Sequence, residues 1–334
     1  MQLISNSNTL SYSTDFPIQN QLSSENAYIQ LDKCDIGQKE FISRHIDSRI
    51  WNSLDLRSGD IILGSYAKSG TTWLQNILCQ LVHGPSRSLN VGDISPWVES
   101  KYGDIHLKLD KINRQKYRRI LKTHLPLHCL SFDPKVKYLY IARDAVDVAW
   151  SLHHHHSMAN KSWYSYLNNQ EGILGEEFSA PTPNTKSYFF NWLYRDGHPF
   201  WPYKVNVKSW WEARHHPNIF ILHYKNLTTN FDRTILALAS FLGLRINSDK
   251  LQLIRKYTSF QFMQQHAELF APNGGKFWVG GGKTFFNKGK DGEWQSVLNK
   301  KEEEKYFNTL VMELGPECCR WIRLGVQDRI ADGE

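Results

Sequence analysis

The sequence predicts an α/β protein: a single doubly wound domain with a mainly parallel central sheet and a P-loop-like binding loop. Three short strand-like runs, at residues 60–64, 119–123 and 136–142, have the length and composition of buried strands. Polar or basic residues follow each run directly. Open α/β sheets place their chemistry at the carboxyl ends of their strands, so these residues are candidates for a functional site.

Length and charge limit the classes of partner. The chain has 334 residues and a formal net charge of +7. This length allows one large α/β domain or two small ones, and we favour one. A net positive charge suits binding to a polyanionic small cofactor, to nucleic acid or to an anionic membrane about equally. The basic residues are spread along the chain, and Lys300-Lys301 runs directly into three glutamates, so no nucleic-acid partner is expected.

Cysteine usage points to a reducing compartment. The cysteines are odd in number, lack Cys-x-x-Cys spacing and include a vicinal pair: Cys34, Cys79, Cys129, Cys318 and Cys319. The first residues lack the basic and apolar regions of a signal peptide, and no run of about 18 apolar residues could span a membrane. We therefore expect a cytoplasmic protein without a membrane span.

The N-terminal segment differs in composition from the rest. Residues 1–38 are rich in Ser, Asn and Gln and show no sustained hydrophobic period, which predicts a mobile arm. The folded domain is expected over residues 39–330, beginning with a short helix at 39–51.

Residues 65–73, Ser-Tyr-Ala-Lys-Ser-Gly-Thr-Thr-Trp, separate the first strand from an amphipathic helix that ends at His83-Gly84. A strand, a Gly/Ser/Lys turn and a helix N-terminus direct several N–H groups at one point, so an anion is expected there. The P-loop NTPase motif does not fit, because Lys68 precedes Gly70 by two residues, and no magnesium ligand is implied. A purely structural turn is the alternative.

Residues 66–73 resemble the signature of sulfotransferases that use 3′-phosphoadenosine 5′-phosphosulfate (PAPS), Tyr-Pro-Lys-Ser-Gly-Thr-Thr-Trp, with Ala67 in place of the proline. The resemblance implies that Trp73 stacks on the adenine. It also implies that the loop cradles the 5′-phosphosulfate through Lys68, Ser69, Gly70, Thr71 and Thr72.

The second strand ends in Lys-Thr-His-Leu-Pro, at residues 122–126. A lone histidine is often structural, but His124 stands where such sheets carry their chemistry, and its unperturbed pKa allows it to take a proton near neutral pH. The motif also resembles one of the sulfotransferase family. By that resemblance His124 is the general base and Lys122 holds the transferring sulfuryl oxygens.

The third strand leads into Arg143 and a helix that Asp144 and Asp147 are spaced to cap. Ser151 follows Arg143 by eight residues, roughly two helical turns, so the guanidinium could fold back towards the hydroxyl to hold a phosphate. An Arg143–Asp147 ion pair is the structural alternative. The family's Arg/Ser element, which binds the 3′-phosphate, has the same spacing.

The run His153–His156 raises the question of a metal. Consecutive helical residues point in different directions and cannot all bind one tetrahedral ion. No metal is predicted; the run is expected to end the helix, with one or two rings facing an acceptor cleft.

Aromatic residues are dense between positions 157 and 203, and Trp97 stands in an earlier loop before a helix near 109–118. They could line a pocket for an apolar or aromatic acceptor. Packing of these aromatics in their own small core is the equal alternative.

The last third is predicted as a helix at 205–214, a strand at 219–224, a helix at 235–242 and a glycine-rich segment at 274–292. A final helix is capped by Asn299 with Glu302. By resemblance to the family, the nucleotide contacts from this third are Tyr224, Thr258, Phe260, Asn287, Lys288 and Gly289. Asn287 stands where animal cytosolic relatives carry arginine.

Together these features predict in-line transfer of a sulfuryl group from PAPS, the co-substrate, to a hydroxyl or amine of a small-molecule acceptor. His124 is the base, Lys68 and Lys122 neutralise charge, and no metal takes part. A nucleotide-dependent kinase with an atypical P-loop and a non-enzymatic polyanion-binding protein are the alternatives. Acceptor identity and oligomeric state stay open.

Overall fold

A computed structural model describes residues 39–169 and 176–325. The predicted mobile arm, 1–38, and the expected domain end at 330 lie outside these residues. Within these described ranges, four strands form one sheet in the order β2-β1-β3-β4, and all three pairings are parallel. The strands are β1 (Ile61–Ser65), β2 (Ile120–Thr123), β3 (Lys137–Ala142) and β4 (Ile219–His223).

Helices connect and follow these strands. The first eight are α1 (Thr71–His83), α2 (Val91–Ile94), α3 (Ile105–Arg114), α4 (Ala145–Ser157), α5 (Lys161–Asn168), α6 (Thr185–Tyr194), α7 (Tyr203–Glu212) and α8 (Tyr224–Thr229). The others are α9 (Phe231–Phe241), α10 (Ser248–Tyr257), α11 (Phe260–Gln265), α12 (Ala267–Phe270), α13 (Gly282–Phe285), α14 (Lys300–Leu314) and α15 (Pro316–Leu324). Short 3₁₀ helices lie at Ser48–Ser53, Leu127–Cys129, Pro272–Gly275 and Glu293–Ser296.

Helices cover both faces of the sheet. Successive side chains of a strand point to opposite faces, so each strand contributes to the packing on both sides. Leu63 and Leu139 pack with α1, α9 and α10, whereas Tyr138 and Tyr140 pack with α4, α6, α7, α14 and α15. This arrangement confirms the doubly wound prediction. The chain places β2 on one side of β1 and β3 on the other, so the order of the parallel strands reverses between β1 and β3. The loops after β1 and β3 open at this switch point.

The predicted helices differ from the structure in several places. The 39–51 helix is wrong: Ile42 and Asp47 form an antiparallel bridge, and Asp47 then caps only the 3₁₀ turn at Ser48–Ser53. The helix expected near 109–118 is α3, which starts earlier because Asp104 accepts a hydrogen bond from the N–H of Leu107. The helix predicted to be last is α14; the structure adds α15, which Gly315 and a proline at its first position separate from α14.

Two expectations about the whole chain can be compared with the described residues. Cys79, Cys129, Cys318 and Cys319 all carry free, buried thiols. Within 39–169 and 176–325, no helix combines the length and the apolar character needed to cross a membrane.

Candidate functional site

A cavity of about 690 Å³ opens at the carboxyl ends of the strands. The structure brings nearly all of the predicted site residues to its wall: Lys68, Gly70, Thr71, Thr72, Trp73, Lys122, His124, Arg143, Ser151, Tyr224, Thr258, Phe260, Asn287, Lys288 and Gly289. These residues come from positions 68 to 289, so the fold, and not sequence proximity, assembles them. Ser69 lies in the same loop, but its side chain is buried beneath the wall.

The loop between β1 and α1 leaves donors free at a helix N-terminus. Gly70 occupies the N-cap position of α1 with φ of 98°, and no side chain caps the helix. The first N–H groups of α1, which begins at Thr71, therefore have no partner within the helix. A Cβ on Gly70 would lie 2.8 Å from the ring of Tyr224, so only glycine allows this close approach. This loop has the geometry of an anion site.

The hydroxyls of the loop differ in availability. Ser65 and Thr71 are hydrogen-bonded to each other through their hydroxyls at 2.7 Å, so Thr71 is tied to the end of β1. The Ser69 hydroxyl is buried without a partner. The indole N–H of Trp73 is likewise buried and unpartnered, while its ring meets the ring of Tyr224 edge-on at 5.5 Å. Burial of a polar atom without a hydrogen-bond partner costs free energy. The Ser69 hydroxyl and the Trp73 indole N–H are therefore available to a ligand.

The environment of His124 selects one tautomer. Nδ1 lies 2.7 Å from the carbonyl oxygen of Ser65, and because a carbonyl only accepts, Nδ1 must carry the proton. Nε2 is then the basic nitrogen. The ring is stacked on Trp201 at 5.2 Å and meets Trp97 edge-on at 4.9 Å. Burial and the neighbouring Lys122 charge hold the pKa of His124 well below its usual value, so the ring is neutral at pH 7.

Glu99, which the sequence did not predict as a site residue, supports this histidine. Its carboxylate accepts hydrogen bonds from the backbone N–H of His124 at 2.6 Å, the indole of Trp97 at 2.6 Å and the indole of Trp51 at 3.0 Å. Burial raises the pKa of Glu99. A single glutamate in a loop carries no sequence signal.

Two lysines bring positive charge into the cavity. Burial, together with repulsion from Arg143 and Lys122, lowers the pKa of Lys68 to about 7. Burial lowers the pKa of Lys122 to about 8, although Glu99 opposes the change. Each ammonium lies over an aromatic ring, Lys68 over Phe285 at 4.3 Å and Lys122 over Trp97 at 4.7 Å. A bound anion would favour the charged form of both.

Arg143 does not reach back to Ser151 as the spacing predicted. Its Nε and Nη2 contact one carboxylate oxygen of Asp291 at 2.8 and 2.6 Å, and Nη1 donates to the Lys68 carbonyl at 3.2 Å. Asp147, the alternative partner, accepts a hydrogen bond from the N–H of Gly292 at 2.8 Å and interacts with Arg143 electrostatically, whereas the direct ion pair of Arg143 is with Asp291. Asp144 does cap α4, through the N–H of Val146.

The sequence could not show that Asp291 would reach Arg143, since 148 positions separate the two residues. The only signal was that Asp291 lies inside the Lys-Gly-x-x-Gly stretch, of which only Lys288 and Gly289 were predicted as contacts. Ser151 lies half-buried on the cavity wall, without an Arg143 contact.

The remaining predicted nucleotide contacts surround Gly289. A Cβ there would lie 2.6 Å from the ring of Phe260, and the hydroxyl of Tyr224 donates to the Gly289 carbonyl at 3.4 Å. The Thr258 hydroxyl donates to the Ile254 carbonyl of its own helix at 2.8 Å, so its donor is already used. Lys288 forms an ion pair with Glu293 at 2.6 Å, and Asn287 lines the cavity.

Both interpretations of the aromatic region are partly realised. Trp97 and other large rings line the cavity: Tyr102, Trp163, Phe200, Trp201, Phe277 and Trp278. Of these, Trp97 and Trp201 are in contact with His124. Others, including Phe189 and Trp192, are buried in the core on the α4 side of the sheet. The histidine run ends α4, and His155 lines the cavity whereas His153 and His154 lie against backbone carbonyls. In the described part of the chain, no three His, Cys, Asp or Glu side chains gather as a metal site.

Comparisons with known proteins agree with this geometry. A mycobacterial glycolipid sulfotransferase (Mycobacterium bovis) is 27% identical over 302 residues, covering 84% of this chain and 92% of the relative. A 3-beta-hydroxysteroid sulfotransferase from Cavia porcellus is 26% identical over 279 residues, covering 80% and 88%. Residues 58–313 match the family model for the sulfotransferase domain.

Solved structures share the fold. A mouse sulfotransferase complexed with PAP (adenosine 3′,5′-bisphosphate) matches with a TM-score of 0.62 and 22% identity, over 81% of this chain and 90% of that one. Retinol dehydratase in complex with androsterone and the inactive cofactor PAP matches with a TM-score of 0.60 and 22% identity, over 80% and 83%. Because the family model covers most of the chain, this protein belongs to the sulfotransferase domain family.

Proposed function

We propose that this protein transfers the sulfuryl group of PAPS to a hydroxyl of a small-molecule acceptor by in-line displacement. The bond from the acceptor oxygen to sulfur forms as the bond from sulfur to the 5′-phosphate oxygen breaks. The acceptor proton moves to Nε2 of His124, and the leaving PAP keeps the electron pair. The observation that carries the proposal is the tautomer of His124, whose Nδ1–H is committed to Ser65 and whose basic nitrogen remains for the acceptor.

Glu99 positions the base. Its bond to the backbone N–H of His124 fixes the end of β2, and its bond to the indole of Trp97 fixes the ring that meets the imidazole edge-on. The imidazole also stacks on Trp201, and this contact restricts the orientation of the base before an acceptor enters. A positioned neutral base contributes about 10²–10⁴-fold to such a reaction.

We assign the binding of the sulfuryl donor, PAPS, to the part of the cavity formed by the loop after β1. Lys68 and the free N–H groups at the start of α1 hold the phosphosulfate, and Lys122 stabilises charge on the transferring oxygens. Trp73 and Tyr224 hold the adenine, and Arg143 is the side chain for the 3′-phosphate. The unpartnered hydroxyl of Ser69 supplies a further donor. None of these roles requires a metal ion.

The acceptor is an apolar or aromatic alcohol. The wall beside His124 is built from rings such as Trp97 and Trp201, which suit an apolar skeleton. The names of the relatives point the same way, since they act on glycolipids and 3-beta-hydroxysteroids. We place the reaction in the cytoplasm, in a single domain of residues 39–330.

Two measurements test the proposal. PAP should raise the thermal stability of the protein by about 2.7 kcal/mol at a hundredfold excess over Kd, while AMP, which lacks the 3′-phosphate, should do much less. A panel of sterols, phenols and long-chain alcohols, with amines for comparison, should then yield a sulfated product only with PAPS. Transfer of phosphate from ATP would instead establish the kinase alternative, and loss of turnover in EDTA would overturn the metal-free mechanism.

A further inference from the structure

We propose that Asp291 determines how strongly this protein binds the donor's 3′-phosphate, because it competes with that phosphate for Arg143. The inference rests on the proposed function, which places the 3′-phosphate at this guanidinium. It concerns a carboxylate inside the donor site, where an incoming dianion must replace an existing anionic partner.

The guanidinium of Arg143 is engaged on several sides. Asp291 takes Nε at 2.8 Å and Nη2 at 2.6 Å, the Lys68 carbonyl takes Nη1 at 3.2 Å, and the Lys290 carbonyl takes Nη2 at 3.1 Å. The ring of Tyr224 lies under the guanidinium carbon at 4.7 Å. A phosphate needs the same fork of N–H donors that Asp291 uses. Both anions cannot hold that fork together.

A second carboxylate adds to the effect of Asp291. Asp147 lies close enough to Arg143 to interact with it electrostatically, although the direct carboxylate contacts of the guanidinium are with Asp291. Lys288 is paired with Glu293 at 2.6 Å, and residue 287 is a neutral asparagine. A dianionic 3′-phosphate at Arg143 therefore meets two nearby carboxylates, Asp291 and Asp147, and their repulsion weakens its binding.

Replacement of Asp291 by the phosphate does not require the segment to leave the site. Backbone contacts anchor it on both sides of Asp291: the Gly292 N–H donates to Asp147, and the Gly289 carbonyl accepts from Tyr224. The exchange can therefore be made by the Asp291 side chain alone, which is partly exposed at 21%. Asparagine at this position keeps the size of the side chain and removes its charge.

The test is a double-mutant cycle read by calorimetry with PAP and with AMP. D291N should tighten PAP by about tenfold in the wild-type background, since close charge pairs couple by at least that factor. It should leave AMP nearly unchanged, because AMP has no 3′-phosphate. In the R143A background D291N should no longer tighten PAP, because the contested guanidinium is gone. E268Q, which neutralises a carboxylate beside His266, is the matched charge control.

Every result of this double-mutant cycle supports or contradicts the competition between Asp291 and the 3′-phosphate. Tightening of PAP only when Arg143 is present supports the competition. Equal tightening of PAP with and without Arg143, or by E268Q, would show general charge repulsion and overturn it; unchanged or weaker PAP binding in D291N would overturn it as well. If neither the wild type nor D291N prefers PAP to AMP, the proposed function itself fails, which is a different result.

Discussion

Lys68 gives the donor site a pH dependence that can be calculated. In the free protein its pKa is lowered to about 7, first by burial and then by Arg143 and Lys122. Only the protonated ammonium attracts the phosphosulfate, and a bound anion raises the pKa again. Above pH 7, binding of the donor is therefore accompanied by uptake of a proton at Lys68. The affinity for the donor should fall as the pH rises through the pKa of Lys68 in the free protein.

The magnitude follows from that pKa. With a pKa of about 7, Lys68 is about half protonated at pH 7, about one tenth at pH 8 and about one hundredth at pH 9. While the complex stays protonated, the Kd of PAP should therefore rise about fivefold over the first pH unit and about tenfold over the second, or about 50-fold in all. Lys122, whose pKa burial lowers to about 8, adds to the slope only above that pH.

Calorimetry of PAP binding between pH 7 and pH 9, in two buffers of different ionisation enthalpy, measures both the affinity and the protons taken up. Lys68→Met should bind PAP more weakly and lose the slope between pH 7 and pH 8. Lys283→Met, at an exposed lysine of α13, is the matched control and should keep it. A Kd that does not change between pH 7 and pH 8, or a slope that persists in Lys68→Met, would refute the reasoning.

Three further changes test the base, the loop and the core. His124→Ala should lower kcat by about 10²–10⁴-fold with the Kd of PAP almost unchanged; near-normal turnover on a good acceptor would rule out this base. Gly70→Ala should lower Tm and weaken PAP binding, because φ is 98° and the new Cβ would lie 2.8 Å from the Tyr224 ring; thermal denaturation with and without PAP measures both effects. Asp60→Ala should cost about 3–5 kcal/mol in urea denaturation, because it strands the fully buried Arg119 charge, and a cost under about 1 kcal/mol would contradict that account.

The strands and the anion loop could be predicted because their determinants are local. Residues 61–65 and 137–142 are apolar runs of strand length, and α1 has an apolar face that ends at a glycine. The Asn299–Glu302 capping box was also readable, since both partners lie within one helical turn. The 39–51 segment failed for the opposite reason: Ile46 pairs with Ser100, a partner that no local pattern reveals.

The amino-acid sequence alone identifies the residues that can bind an anion or take a proton: Lys68 and Gly70 before a helix, His124 after a strand, and Arg143 at the end of the following strand. The partner of each of these residues depends on the fold. The proton on Nδ1 of His124 depends on the Ser65 carbonyl, 59 positions away, and the fork of Arg143 depends on Asp291, 148 positions away. Hydrogen bonds and charges act over a few ångströms of space, so a functional group's protonation and availability follow from neighbours that the fold supplies.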